Sequence, residues 1–441
     1  MKIAIASSGL GHVARGIETW ALDTANALHR KGADVTLFSA GKIESESPLV
    51  VLPCIRRRTP LSNLITKLSP PFSWRWGLKS GYGLEQLTFW NHLKKQMNAG
   101  KFDILHIQDP MIADLCRKAR EKGEVTVKEI LAHGTEEPLE FLANFEYLQH
   151  LAPWHLEQSL EKLGETQHPI PNTQYPTSNG DKPEARGQRL EVIDHQTNNQ
   201  IHRSSFSLHR SPHWTAMPNF IDTDLYRPIK NDDEKRAIRS KLGIPENAFV
   251  IGTAAAIKKH HKRIDYLIRE FAAFSKSSAP APHSSAPRDD DGIIANRSAF
   301  LVIAGSRQTD TEELQTLAEK LCPGQIKFLI NHPHEQMPDL LRSYDVFVLT
   351  SIFEMMPIAL LEAIATGLPV ITNNHPVLEW MGGAAGIRPD MSKDSALAET
   401  LADITDEEIK ERGIAARQHA LENYSENAVI RQYLGYYNRI I

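Results

Sequence analysis

Cysteine is scarce. The three present, Cys54, Cys116 and Cys322, stand far apart, with no spacing that suits a metal site or a redox pair. That usage makes a reducing compartment the default. Long apolar runs are missing too: none approaches the ~20 residues that a membrane-spanning helix needs. Met1 to Ser8 holds only a short apolar-biased strand before Gly9, too little for the core of a signal peptide. A cytoplasmic chain is expected, one that touches a membrane surface at most. Excess positive charge is also absent. The formal net charge of −4 argues against wholesale nucleic-acid binding. What is present is ordinary for a globular protein: 441 residues, 41% hydrophobic and 24% charged, enough for two or three domains.

One further absence narrows the start of the chain. A strand, Ile3 to Ala6, leads into Gly9-Leu10-Gly11-His12-Val13-Ala14, then a helix to about Arg30, Gly32, and a second strand from Asp34 to Phe38. Gly-x-Gly-x-x-Ala in that place suggests a dinucleotide. That use requires an acidic residue ending the second strand, to hold a ribose. This strand ends Leu37-Phe38-Ser39-Ala40, with no acid, which speaks against a nicotinamide or flavin dehydrogenase. A tight strand–helix turn with no ligand accounts for any single glycine equally well.

The stretch from Tyr344 to Thr372 carries the most information. Val346 to Leu349 is a short apolar run, as expected of a buried parallel strand. A polar turn follows, and Pro357 stands where a first helical residue tolerates it. The helix runs through Ala365 and stops at Gly367, and Leu368 to Thr372 reads as the next strand. Free amides at such a helix start form an anion site. Those of Met355, Met356 and Ile358 suit a diphosphate. Glu354 beside them suits sugar hydroxyls. Glu362, eight residues on, falls about 12 Å further along a helix at 1.5 Å per residue, on nearly the same face. Two glutamates at that spacing also arise by chance on solvated helices.

The flanks add to the spacing. Ser-x-x-Glu-x-x-Pro, Leu-Glu-Ala and Ala-x-Gly-Leu-Pro-Val together resemble the donor-site motif of retaining glycosyltransferases of family 4 (glycosyl transferases group 1). The resemblance implies the α/β GT-B fold: two Rossmann-like, doubly wound parallel-sheet domains facing a cleft. It implies that the paired glutamates, Glu354 and Glu362, contact a nucleoside-diphosphate sugar. The family often has Gly after the first glutamate, where this chain has Met355. The same resemblance assigns Gly9, Gly11 and Gly16 to a loop near the donor phosphates and the acceptor, and His133 to the donor sugar. It assigns Lys262 to the diphosphate. The family arginine five residues before that lysine corresponds to Ile257, leaving Lys258 or Lys259 as substitutes. The loops at Gly305-Ser306 and Asn331-His332-Pro333 fall where the family holds phosphates and base.

Other segments bound the reading. From Ile55 to Lys101, Arg56, Arg57, Arg58, Lys67, Arg75, Lys79, Lys94 and Lys95 face one acid, Glu85, with Phe72, Trp74, Trp76, Tyr82, Phe89 and Trp90 interleaved. Anionic lipid, an acceptor-binding loop, or a surface excursion whose aromatics pack on the domain all suit this composition. A strand at Phe102 to Ile107 ends before Asp109, and one at Val127 to Ala132 ends before His133, Glu136 and Glu137. In open parallel sheets ligands bind beyond such strand ends, which makes these residues one candidate cleft wall. A loop histidine bonded to backbone is the plain alternative for His133. Phe141 to Leu163 reads as one helix. Asp222-x-Asp224 follows a Pro-Asn turn, which suits a hinge or cap better than a metal pair. Asp289 to Asp291 reads as solvated charge.

The expected division is 1–218 for the first domain, with a polar insertion at 168–210. The second takes 219–425, with a low-complexity insertion at 275–298. Residues 426–441 form a helix crossing back to the first domain. The expected activity is retaining, metal-independent transfer of a hexose-type sugar from a nucleoside-diphosphate co-substrate to a saccharide, lipid-linked or small-molecule acceptor. Glu354, His133 and Lys262 carry the chemistry. Gly9, Gly11, Gly16, Asp109, Lys258, Ser306, His332, Met355, Met356, Pro357, Ile358 and Glu362 bind substrate. No metal, further cofactor or nucleic acid is expected, and 55–101 is a candidate for peripheral membrane contact. A sugar-nucleotide epimerase of similar fold and a non-catalytic donor-binding protein are the rival readings.

Overall fold

Residues 1–13, 16–70, 78–134, 137–164, 213–277 and 298–441 are described by a computed structural model. The insertion expected at 168–210 lies outside them. So does all of 275–298 except 298 and the last turn of the helix Ile264–Ser277.

Two wholly parallel sheets form the frame. The first contains β1 (Lys2–Ser7), β2 (Asp34–Ser39), β3 (Leu49–Val51), β4 (Ile104–Ile107), β5 (Lys128–His133), β6 (Tyr147–His150) and β7 (His213–Ala216), in the order β3-β2-β1-β4-β5-β6-β7. The second contains β8 (Phe249–Ala254), β9 (Ala299–Gly305), β10 (Ile326–Ile330), β11 (Val346–Leu349), β12 (Val370–Thr372) and β13 (Gly386–Ile387), ordered β10-β9-β8-β11-β12-β13. Runs such as Phe-Leu-Val-Ile-Ala in β9 and Val-Phe-Val-Leu in β11 are buried on both faces, because helices cover each sheet twice. In each lobe the strand order reverses once, between β1 and β4 and between β8 and β11. Crevices open at the carboxyl ends of strands beside such reversals.

The segment Phe141–Leu163 is not one helix. A single turn, Leu139–Leu142, is followed by β6 and then by the helix Pro153–Lys162. The aromatic spacing that suggested a helix comes from side chains facing one core from three elements: Phe141, Phe145 and Leu148 all pack there. His133 is the last residue of β5 rather than the start of a loop.

The final helix, Glu426–Ile440, leaves the second lobe and seals the first. Tyr433, Tyr436 and Tyr437 are buried in it. Tyr437 Oη lies 2.6 Å from His106 Nδ1, and Tyr433 Oη accepts from Trp20 Nε1 at 3.1 Å and Gln149 Nε2 at 2.7 Å. The connecting segment after β7 is pinned from the same side: Ile221 N–H donates to the Tyr424 carbonyl at 2.8 Å. Arg417 donates to the carbonyls of Thr223, Tyr226 and Ala365. One guanidinium thus ties the connection between lobes to the end of the helix Ile358–Ala365.

Candidate active site

Two loops meet at the second lobe's strand reversal. One follows β8 (residues 255–263) and the other follows β11 (residues 350–357). Thr350 Oγ1 donates to the Lys262 carbonyl at 2.7 Å, and His261 Nε2 lies 2.8 Å from the Phe353 carbonyl oxygen. The two loops are therefore pinned together. This clamp brings the half-buried Lys262 ammonium onto the buried Glu354 carboxylate, with His261 at 3.8 Å. His261 and Arg263 both sit at positive φ, 71° and 51°, strain that the tight turn imposes on non-glycine residues.

Glu354 is not part of the helix. Pro357 occupies the N-cap position with extended backbone (φ −71°, ψ 113°), and the helix proper is Ile358–Ala365. The 12 Å helical separation inferred for the two glutamates therefore does not apply. The helix start has no side-chain cap, and among the described residues nothing accepts from the amides of Met355, Met356 or Ile358. Four such amides are left over at any helix start. The far end closes as expected for glycine at positive φ: Gly367 (φ 78°) and Leu368 donate back to Ile364 and Ala363.

Glu362 lies in the second turn of this helix, deeply buried. Its Oε1 accepts from the Tyr226 hydroxyl at 2.9 Å. Burial pushes the carboxyl above its ordinary range, and the Tyr226 bond acts against that. The Met356 side chain turns away from the crevice into the core, where its Sδ accepts from Asn219 N–H at 3.3 Å. The amide of Met356, not its thioether, is what the crevice offers.

The remaining second-lobe residues divide. Lys259 is held by Glu313, and its N–H by Asp310. Lys258, half-buried, has no ionic partner among the described residues. Ile257 is wholly buried in the core, so an arginine at that position has no room to reach the crevice without repacking. Ser306 is exposed just beyond β9, its Oγ accepting from Gln308 at 3.1 Å. His332, beyond β10, has a buried Nε2 with no hydrogen-bond partner among the described residues.

The first lobe builds its own polar cluster at the β1/β4 reversal. Asp109 accepts from Ser8 N–H at 2.7 Å and the Tyr82 hydroxyl at 2.6 Å. Burial raises its carboxyl above the ordinary range despite those bonds. Glu85, also fully buried, accepts from Arg57 N–H and Nε at 2.8 Å, and lies 2.8 Å from His12 Nε2. Burial acts to raise its carboxyl, and the bonds from Arg57 and His12 outweigh it, leaving it below the usual range. Arg57 stacks over Tyr82 and stands 3.7 Å from Glu18. Sequence reasoning set Glu85 aside as the lone acid of a basic stretch and did not single out Arg57, Tyr82 or His12. The visible signal was that very isolation: an acid with no neighbour of its own sign and cations on both sides.

The glycine loop has a different purpose at each position. A Cβ on Gly9 would stand 2.0 Å from Glu18 Oε1, so this glycine makes room for the cluster. Gly11, at φ 91°, backs directly onto Gly41, whose Cα a Cβ would meet at 2.5 Å. Gly16 opens the helix Gly16–Arg30 with free space around it. Phe89 and Trp90, from the aromatic-basic stretch, are core residues. Phe72, Trp74, Arg75 and Trp76 lie outside the described residues, as does Glu136.

Between the lobes runs a file of imidazoles and aromatic rings. His133 Nε2 is 3.5 Å from Glu137 and its Nδ1 3.3 Å from His150 Nδ1. His155 packs on Phe353, while Trp154 packs edge-on to His375, which in turn meets Phe353. Burial depresses all three neighbours: His150 falls below its ordinary value, His155 drops to about 4, and His375 is lowered against the pull of Glu354. Neutral imidazoles therefore line the seam next to Glu354. His375 was not singled out from sequence; it starts the helix Pro376–Gly382, its Nδ1 accepting from Val377 N–H.

Residues 234–423 match the family described as glycosyl transferases group 1. The UDP-Gal:alpha-D-GlcNAc-diphosphoundecaprenol alpha-1,3-galactosyltransferase of Escherichia coli is 29% identical over 161 residues, 36% of each chain. The O-antigen chain mannosyltransferase B of Escherichia coli is 32% identical over 130 residues, 28% of this chain and 34% of that one. The chain spans less than half the length of such curated relatives. Among solved structures, sucrose-phosphate synthase from Thermosynechococcus elongatus superposes with a TM-score of 0.66 at 15% identity, covering 100% of this chain and 98% of that one. HepE of Anabaena, in complex with UDP and glucose, superposes at 0.63 and 13%, covering 99% and 98%. The whole chain has the GT-B fold, and the match to group 1 glycosyl transferases falls within its second lobe.

Proposed function

We propose that this chain is a retaining glycosyltransferase, moving a hexose-type sugar from a nucleoside diphosphate to an acceptor hydroxyl without a metal. The observation that carries the reading is the Lys262–Glu354 pair beside uncapped amides at the second lobe's reversal point. A diphosphate takes the amides of Met355, Met356 and Ile358, with Lys262 and Lys258 as cations. Glu354 and His133 orient the hexose. Glu362, its carboxylate steered by Tyr226, holds the ribose. Ser306 and His332 face the nucleotide. As the bond to the sugar breaks, charge grows on the leaving oxygen, and fixed dipoles and cations lower that barrier. The acceptor oxygen bonds to the anomeric carbon on the face from which the diphosphate oxygen departs and passes its proton to that oxygen, so configuration is preserved.

The first-lobe cluster of His12, Arg57, Glu85 and Asp109 receives the acceptor. Its mixture of buried donors and acceptors suits a polyhydroxylated group. One relative, which transfers galactose from UDP-Gal to a GlcNAc-diphosphoundecaprenol, supports a lipid-linked acceptor and a uridine nucleotide. Three free thiols agree with a cytoplasmic setting. Lobe closure excludes water, which otherwise hydrolyses the donor.

A thermal-shift screen of nucleoside diphosphates and their sugars tests this reading. One family of donors raises the melting temperature, and the shift falls in Glu362→Ala and Lys262→Ala. No stabilisation by any nucleotide overturns it. Tight donor binding with no transfer to a broad acceptor panel replaces it with a non-catalytic donor-binding protein. Conversion of donor with no acceptor present replaces it with an epimerase.

A further inference from the structure

A nine-residue helix, Pro60–Leu68, projects from the first lobe two residues beyond Arg57 and its neighbour Arg58. It is well made: Pro60 stands at the first position and Thr59 and Ser62 form a reciprocal capping box. Only Ser62 is buried. Leu61, Leu64 and Leu68 are 54%, 54% and 73% exposed. Their spacing of three, then four, puts them on a single stripe with the half-buried Ile65 beside it. Exposed leucines scattered singly need no explanation, but three on one short helix do.

The surroundings identify what covers the stripe. From Ser47 to Leu84 the sequence has six Lys and Arg residues and no Asp or Glu, inside a chain whose net charge is −4. Arg57 is consumed by Glu85, and Arg56 donates to the Ala40 carbonyl. Arg58 and Lys67 are exposed with no acidic partner among the described residues. Lys79, likewise without an acid, donates to the Ser69 carbonyl, which sets its ammonium at the Leu68 end of the stripe. A protein partner has no need of apolar stripe and unopposed cations together, whereas an anionic bilayer meets both.

We infer that the helix Pro60–Leu68 is a membrane-docking element: Leu61, Leu64 and Leu68 enter the acyl boundary, and Arg58, Lys67 and Lys79 contact anionic headgroups. The docking does not depend on the transfer chemistry. It does place Arg57, and with it the first-lobe cluster, close to the lipid surface. If the transfer reading holds, the favoured acceptor is therefore one anchored in that surface.

Cosedimentation of the full chain with vesicles tests this. The two compositions are pure phosphatidylcholine and phosphatidylcholine with a third of phosphatidylglycerol. Binding to the anionic vesicles exceeds that to neutral ones by roughly 10-fold, and it weakens between ~0.1 M and ~0.5 M salt as charges are screened. Leu64→Ser with Leu68→Ser reduces binding by about 10-fold or more. Lys67→Glu with Lys79→Glu does the same by a separate route. Both variants keep the wild-type melting temperature, because the replaced side chains are exposed, and both keep nucleotide-induced stabilisation. Equal partition onto both vesicle types, or serine variants that bind like wild type, overturns the inference. So does a concentration-dependent dimer abolished by the serine substitutions, which assigns the stripe to self-association.

Discussion

At the scale of single residues, the Lys262–Glu354 pair and the Tyr226–Glu362 bond pose different tests. Lys262 neutralises Glu354 and, in the proposed reaction, a leaving diphosphate. Lys262→Ala is expected to lower kcat by ~10²–10³-fold, the usual loss when a stabiliser of developing charge is removed. It also strands a buried carboxylate, so the melting temperature falls. Adding Glu354→Gln restores much of the melting temperature and none of the turnover, which separates the two roles. Tyr226→Phe leaves Glu362 without its hydroxyl donor. A stability loss of about 1–3 kcal/mol is expected at neutral pH, measured by urea unfolding. The loss shrinks as pH falls and the carboxyl, raised above its ordinary range by burial, takes up a proton, since the bond is then no longer charge-assisted. The placing of Glu354 and Glu362 on one strand–loop–helix unit was legible in the sequence, because short motifs keep their local geometry, while Lys262 was singled out by resemblance to a family motif. Tyr226, His12, Arg57 and Glu85 were not, since each meets its partner from a distant part of the chain.

At the scale of elements, the closing helix Glu426–Ile440 governs acid stability. Its Tyr437 hydroxyl bonds His106, whose burial holds the imidazole down at about 3 against an ordinary 6.5. The folded value lies below the unfolded one, so the unfolded chain takes the proton first as pH falls. This contribution is complete above about pH 6.5 and is lost from there downward, by up to ~1.4 kcal/mol per pH unit for one group. Unfolding free energies measured at a series of pH values are expected to decline below that point. In His106→Gln the decline is shallower by roughly that amount. His155, held at about 4, adds to the same slope, so the variant flattens the profile without abolishing it. The helix itself was readable from its apolar face. The strand at Tyr147–His150 was not, because Tyr-Leu-Gln-His is too short and too mixed to show a period of its own between two helical segments.

For the molecule as a whole, the contact between lobes is a packed seam rather than open space. Trp154 reaches across from the first lobe to His375, in the same core that holds the helix Ile358–Ala365. Trp154→Ala is expected to cost about 1–3 kcal/mol and to loosen the lobes. Small-angle scattering checks this as an increase in radius of gyration, and donor titration as weaker binding with the second lobe's residues intact. An unchanged radius and affinity would show that the Trp154 contact is not needed to hold the lobes together.

The amino-acid sequence by itself determined the strands on either side of each reversal, the loop and helix after β11, the turn at Gly367 and the acids and cations gathered at the second lobe's reversal. These follow from local periodicity, from proline and glycine at positions that few other residues fill, and from short spacings that a strand–loop–helix unit preserves. Only the tertiary structure decided that Glu354 pairs with Lys262, that Glu362 is steered by Tyr226, and that Glu85 is the buried hub of the first lobe. It also decided that three leucines of one small helix remain outside. Each depends on which distant surfaces meet across a sheet reversal or fail to meet, and burial, not residue type, sets what a carboxylate or a leucine then does.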